Sequence, residues 1–88
     1  MHAVVVNVTV NDPDAAQQTL REQVVPRVSQ TPGFVAGYWL RGDGNQGFSV
    51  VVFESEDAAR TAANAMQPPP AGEVTIDSVD VREVVAHA

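Results

Sequence analysis

Cysteine and lysine are both absent from this chain. Without cysteine the chain can form no disulfide, no thiolate zinc site and no cysteine nucleophile. Without lysine it can form no Schiff base with a carbonyl substrate. Any chemistry must therefore rest on other side chains.

Basic residues are also scarce. There are five, against eleven acidic residues, and the formal net charge is −6. The five are scattered arginines: Arg21, Arg27, Arg41, Arg60 and Arg82. Because nucleic-acid binding depends on a clustered basic face, we expect no nucleic-acid partner.

Long apolar runs are missing as well. No stretch approaches the roughly 18 apolar residues that a membrane-spanning helix needs, so we expect no membrane segment and no membrane partner. Residues 1–7 show neither the basic region nor the long apolar run of a signal peptide. A cytoplasmic location is the default expectation.

Aromatic residues make up only 6% of the chain, although 44% of it is hydrophobic. Much of the apolar content is valine and alanine, whose side chains each contribute little to a core. A chain of 88 residues leaves a large share of its surface exposed on folding. We therefore expect one domain over residues 1–88, with a thin core that a second copy supplements in a homodimer.

The N-terminal stretch 3–10 alternates in a pattern typical of a β-strand. Its even-numbered residues are all valine and form an apolar face that we expect to meet helices. Its odd face carries Val5, Asn7 and Thr9. This mixed face should meet a wetter environment.

A helix is predicted to follow. Asp12 is a suitable N-cap and Pro13 suits the first helical position. Pro26 should kink or loosen the last turn because it lacks a backbone N–H, and residues 31–33 (Thr-Pro-Gly) should end the helix. The expected apolar stripe consists of Ala16, Leu20, Val24 and Val28.

The rest of the chain predicts two strands, a helix and a last strand. The strands span 34–41 and 47–54, with a glycine-rich hairpin loop between them. Ser55 caps a helix over 56–66, and 67–72 is a stiff, proline-rich connector. The last strand covers 73–86, with a bulge near Asp77 and Ser78 where the apolar parity changes. At that length it should overhang its own sheet and offer an edge to a second subunit.

This order of elements is the ferredoxin-like β-α-β-β-α-β arrangement, an α+β fold with a four-stranded antiparallel sheet and two helices on one face. Within it, segments 31–34 (Thr-Pro-Gly-Phe) and 52–59 (Val-Phe-Glu-Ser-Glu-Asp-Ala-Ala) resemble the dimeric α+β barrel superfamily. That superfamily includes antibiotic-biosynthesis-type monooxygenases and stress-responsive barrel proteins. The resemblance implies two sheets packed face to face across a two-fold axis, and a cleft that takes polycyclic aromatics, haem or other apolar molecules.

The resemblance to the haem-degrading branch is incomplete. That branch uses an asparagine in strand one, a tryptophan just before the Glu-Ser that opens helix two, and a histidine on that helix. Asn7 takes the first place here, Phe53 replaces the tryptophan, and the predicted second helix has no histidine. We therefore expect no haem degradation of that kind and no tightly bound cofactor.

The quinone-forming branch implies other ligand-binding residues, since its members hold a phenol with asparagine, tryptophan, tyrosine or arginine. The candidates here are Asn7, Tyr38, Trp39 and Arg41, with Phe53 as core or cleft wall. Asn7 orients a substrate carbonyl or makes a structural hydrogen bond, because an unpaired buried amide costs about 1–3 kcal/mol. Tyr38 and Trp39 must point to opposite faces, but the sequence does not say which faces the cleft.

Metal and nucleophile chemistry find no support. The acidic residues lack metal-ligand spacing, so we expect no metal, and the serines have no base near them in the sequence. Two functions stay open. The first is a dimeric small-molecule-binding barrel, for which cofactor-independent oxygenation of an apolar aromatic substrate is the candidate reaction. The second is a non-enzymatic stress-associated or ligand-sensing dimer with a filled cleft.

Overall fold

The computed structural model of the chain describes residues 1–67 and 72–88. It has the predicted α+β, ferredoxin-like order of elements. Strands β1 (His2–Val10), β2 (Phe34–Arg41), β3 (Gln46–Phe53) and β4 (Val74–Glu83) form one antiparallel sheet in the order β2-β3-β1-β4. The first helical region comprises α1 (Pro13–Thr19), a π-helical segment (Leu20–Val24) and α2 (Val25–Ser29), and the second is α3 (Glu56–Ala65).

The first helical region begins as its sequence predicts. The Asp12 side chain accepts a hydrogen bond from the Ala15 backbone N–H, and Pro13 occupies the first helical position. The loosened turn lies just before Pro26, where the Val25 N–H reaches back to the Leu20 carbonyl. A proline ring collides with the carbonyl four residues earlier, so one wider π turn there accommodates it.

The core lies between the sheet and the helices. The even-numbered valines of β1 meet the helices as predicted, with Val4 and Val6 buried and Val8 packed beside them. Phe53 is 1% exposed and packs edge-to-face against Phe34, with ring centroids 6.4 Å apart. Every buried side chain of this cluster is valine or alanine except Phe53, so the core is as thin as the composition predicts.

The two segments that carry the superfamily resemblance touch each other. Gly33 has φ +83° and its carbonyl accepts a 2.8 Å hydrogen bond from the Glu54 N–H. A Cβ on Gly33 would lie 2.9 Å from the Cβ of Ala58 on α3. The start of α3 is held by Ser55, whose hydroxyl accepts from the Ala58 N–H at 3.1 Å. A glycine is needed here both for its backbone angle and for the close approach of α3.

Strand β4 contains the predicted bulge but is shorter than predicted. Asn7 pairs with Ser78 and Val8 with Ile76, so Asp77 is the extra residue. The prediction of a strand to residue 86 is wrong, because β4 ends at Glu83, opposite the first residue of β1. The paired strand therefore offers no overhang to a second subunit.

The remaining boundaries differ little from the predictions. Strand β2 has the predicted limits, and β3 begins and ends one residue earlier than predicted. The predicted connector 67–72 falls mostly on residues 68–71, outside the described residues. Within the described ranges no helix has the length and apolar character needed to cross a bilayer. The cytoplasmic location stays a prediction.

Candidate functional site

We call the side of the sheet away from the helices the outer face. Three large apolar side chains lie on it, and they are strongly exposed: Tyr38 (61%), Leu40 (54%) and Phe48 (38%). The pairing of the strands places these residues in two adjacent rows. One row is Leu40, Phe48, Asn7 and Ser78, and the other is Tyr38, Val50, Val5 and Asp80.

Asn7 is half-buried on this face and paired with β4. Its side-chain Nδ2 donates a 3.0 Å hydrogen bond to the hydroxyl of Ser78. An amide nitrogen carries two N–H groups, so this bond leaves one N–H able to meet a further acceptor. Next to it, Thr9 Oγ1 donates a 2.7 Å bond to Asp77 Oδ2. The bulge at Asp77 puts both polar partners on the outer face.

The predicted site residues divide between the two faces. Tyr38 shares the outer face with Asn7 but lies two strands away, about 10 Å across the sheet. Trp39 packs on the helix side against the core, and its ring covers Gly37, where a Cβ would lie 2.8 Å from Cη2. Phe53 is buried in the same core. The question left open by the sequence is answered: Trp39 faces the helices and Tyr38 faces outward.

Arg41 lies at the end of β2, paired with Gly47, and is exposed. By strand alternation it shares the side of Trp39 rather than that of Asn7. The five predicted residues are thus not gathered into one pocket within a single chain. Their role in binding a ligand stays a prediction, and Asn7 and Tyr38 are the two that share an open face.

Two open depressions mark the described surface. One, of about 450 Å³, lies between α3 and β4 and is lined by Arg60, Ala63, Asn64, Val79, Asp80, Val81 and Arg82. The other, of about 340 Å³, runs along the first helical region over Asp14, Gln17, Gln18, Arg21 and Glu22. None of the predicted site residues lines either depression.

Three residues of the outer face were missed by the sequence reasoning. Leu40 and Phe48 form a row with Asn7, and Ser78 is its hydrogen-bond partner. Leu40 lies two residues after Tyr38 in β2, so the two side chains face the same side of the sheet. The position of Leu40 could be inferred once the face of Tyr38 was known. The position of Ser78 opposite Asn7 could not be inferred in this way, because it depends on how β4 pairs with β1 after the bulge.

On the helix side, the carboxylate of Glu56 at the start of α3 interacts with two basic side chains. The hydrogen bond and charge of Arg60, 2.9 Å away, hold the pKa of Glu56 below its ordinary value, and His2 adds to this in a smaller way. His2 Nε2 lies 4.0 Å from Glu56. Among residues 1–67 and 72–88, no group of three histidine or acidic side chains has the arrangement needed to hold a metal ion.

Comparisons with known proteins support the fold class. No known family model matches the chain, and no curated protein matches it either. A solved structure does match: the haem degrader MhuD from Mycobacterium tuberculosis, with two haems bound in its active site. The identity is 25%, the TM-score is 0.55, and the match covers 97% of this chain and 98% of that one.

This match covers nearly the whole chain. The predicted resemblance to the dimeric α+β barrel superfamily is confirmed, and so is the ferredoxin-like α+β fold. The chain thus has an antibiotic-biosynthesis-monooxygenase-like fold, related to that of the haem degrader.

Proposed function

We propose that this protein is a homodimer that binds an apolar aromatic small molecule. The observation that supports this most strongly is the outer face. It is an open apolar sheet surface that carries Tyr38, Leu40 and Phe48, with the Asn7–Ser78 pair among them. A contiguous apolar patch of several hundred Å² on a small protein marks an interaction site.

The outer face has the size and charge of a dimer interface. From strand spacing and rise it offers roughly 500 Å² per copy, or about 1,000 Å² in total, the lower range for a specific interface. On β1, β2 and β3 its central rows carry no charged side chain; charges lie on β4. Two copies of a chain with net charge −6 approach most readily through such a surface.

The class of ligand follows from the side chains of the outer face. Aromatic rings such as Tyr38 and Phe48 stack on flat aromatic molecules, and Asn7 donates to an oxygen. The haems of MhuD are flat and aromatic too. Haem itself does not suit this chain, because α3 has no histidine. His2, which lies beside the start of α3, has an enclosed Nδ1 and turns Nε2 towards Glu56.

The proposed chemistry is cofactor-independent oxygenation of a phenolic substrate such as an anthrone. One oxygen atom of O₂ replaces the two hydrogens of the substrate methylene as a carbonyl oxygen, and the other leaves with those hydrogens as water. The Asn7 amide would stabilise negative charge on the substrate oxygen. This needs no metal and no cofactor.

The second candidate is a non-enzymatic dimer with a filled cleft. It is supported by the helix side of the sheet, where Phe53 and Trp39 pack into the core and line neither depression. A protein of this kind would form the same dimer through the outer face but take up no aromatic ligand.

Sedimentation equilibrium at micromolar concentration tests the dimer. We expect a species of twice the 9.3 kDa chain mass. Equilibrium dialysis against hydroxyanthraquinones and anthrones then separates the two candidates. A dimer that takes up none of these compounds supports the second candidate, whereas a clean monomer contradicts both.

A further inference from the structure

We infer that the ligand site is shared between two copies of the chain and that a single chain does not hold it. This inference rests on the proposed function and adds where its ligand binds. Small-molecule sites bury roughly 70–90% of the ligand surface. The outer face around Asn7 is one side of an open sheet, and Asn7 lines neither of the two depressions described above. One copy therefore supplies a single wall.

The second wall is best supplied by another copy. In a two-fold dimer the same patch of each copy forms the interface. Like charges on that patch must therefore not face each other across the interface. On the outer face the charges lie on β4, where Arg82 and Asp80 form a 3.3 Å ion pair and the Asp77 carboxylate accepts from Thr9. The rest of the face presents Tyr38, Leu40 and Phe48, which are apolar and exposed.

The heights of the side chains leave room for a flat ligand. Tall side chains lie on β2 and β3, where Tyr38, Leu40 and Phe48 are located, and Phe48 is the β3 partner of Asn7. Short side chains lie beside Asn7 in the other directions, with Val5 and Thr9 on its own strand and Ser78 opposite on β4. Facing sheets normally lie about 10 Å apart. Tall residues that hold two faces apart at one edge leave a gap over the short ones, and this gap has the Asn7 amide on its wall.

Closure of the site by the second copy also strengthens the hydrogen bond that the Asn7 amide donates to a ligand. In water, solvent competes for the free N–H of Asn7, so its hydrogen bond to a ligand adds little. Between two apolar walls the same bond acts in a lower dielectric and is stronger. The site thus fits a flat aromatic ketone or phenol with one oxygen that accepts from Asn7.

The test uses 1-hydroxyanthraquinone, whose visible colour is followed as it sediments with the protein. The variants Tyr38→Asp and Leu40→Asp add a charge to the outer face and leave Asn7 unchanged. Gln17→Asp adds the same charge on an exposed position of α1 and is the matched control. Circular dichroism melts check that each variant folds; the outer-face side chains are largely exposed in one chain.

We expect both outer-face variants to sediment as monomers and to bind the probe about tenfold or more weaker than wild type. The Gln17→Asp control should stay dimeric and bind as wild type does. Monomeric outer-face variants that bind within about twofold of wild type would overturn the shared site but not the proposed ligand class. Outer-face variants that stay dimeric would also overturn the inference, because the interface then lies elsewhere. A wild-type dimer that binds no probe overturns the proposed function and this inference together.

Discussion

The side-chain amide of Asn7 donates a 3.0 Å hydrogen bond to the hydroxyl of Ser78 on the neighbouring strand. The bond exists because the extra residue Asp77 shifts the register of β4 against β1. If the register of residues 74–76 continued past the bulge, the residue opposite Asn7 would be Asp77 rather than Ser78. The bulge therefore puts a neutral hydroxyl beside the amide, while the Asp77 carboxylate lies next to it and accepts from Thr9.

Truncation of the one large ring in the buried core should be costly. We expect Phe53→Ala to lower the free energy of unfolding by about 3–5 kcal/mol, because Phe53 is 1% exposed and packs against Phe34. Urea unfolding followed by circular dichroism measures this. Val25→Ala, on an exposed position of α2, is the control and should change the free energy by less than about 0.5 kcal/mol. Similar losses for both variants would contradict the placement of the core.

Alanine substitutions at Gly33 and Gly44 compare the cost of backbone strain alone with the cost of strain plus a steric contact. Both have positive φ, but a Cβ on Gly33 meets Ala58 at 2.9 Å whereas one on Gly44 meets nothing within 4 Å. We expect Gly44→Ala to lower the free energy of unfolding by about 1 kcal/mol from the left-handed conformation alone. Gly33→Ala should cost more, because α3 must also move.

The double variant Gly33→Ala with Ala58→Gly tests the steric part. Removal of the Ala58 methyl should leave Gly33→Ala less destabilising than it is in the wild-type background, once the cost of Ala58→Gly alone is subtracted. A double-mutant cycle by urea unfolding measures this coupling. Additive effects would mean that the contact between the two segments does not constrain α3.

The side-chain interactions of Glu56 should make stability depend on acid pH. Because its pKa is lower in the folded chain than its ordinary 4.5, the folded state favours the ionised carboxylate. This contribution is fully present above pH 4.5 and is lost as pH falls through the folded-state pKa. Glu56→Gln should therefore unfold with a weaker pH dependence in that acid range, measured by thermal melts from about pH 3 to about pH 6, which spans the ordinary pKa of a glutamate. Glu54→Gln, an exposed neighbour, is the control, and an equal effect from it would contradict the role of Arg60.

Much of the fold was predictable because local signals agreed with the tertiary structure. The even-numbered valines of β1, the Asp12 cap and the parity change at Asp77 each specify one element without knowledge of its partner. The limits of β4 were not predictable in this way. Val84 and Val85 read as strand, but the ladder ends at Glu83 because β1 begins at His2.

The candidate site was less predictable than the fold. Asn7 was identifiable as an amide among valines, and the opposite faces of Tyr38 and Trp39 follow from strand alternation. Which of the two faces the helices depends on the pairing of Trp39 with Ser49, a contact between strands that no local pattern shows. Leu40 and Phe48 were missed for the same reason, since only the register places them beside Asn7.

The proposed oxygenation gives the most direct functional prediction. With 1,8-dihydroxyanthrone under oxygen, the dimer should form the corresponding quinone faster than the uncatalysed reaction, with one O₂ consumed per product. An oxygen electrode and the visible absorbance of the quinone measure the two quantities together. Asn7→Ala should lower the turnover rate by about 10²-fold or more, as loss of a hydrogen-bond donor to a developing oxyanion does elsewhere.

The variant Ser78→Ala tests which of two roles the Asn7 amide has. The amide either donates a hydrogen bond to the substrate or only holds β1 and β4 together. Ser78 accepts from Asn7 and so orients the amide without meeting the substrate in the proposed site. Its loss should lower the rate by less than that of Asn7 and leave the dimer intact. Equal losses for both variants, with unchanged sedimentation, would indicate that the pair acts through the register of β4. If wild type gives no quinone above background across a panel of anthrones, the ligand-binding dimer without catalysis becomes the better description, because the Asn7 amide then has an acceptor to hold but no charge to stabilise.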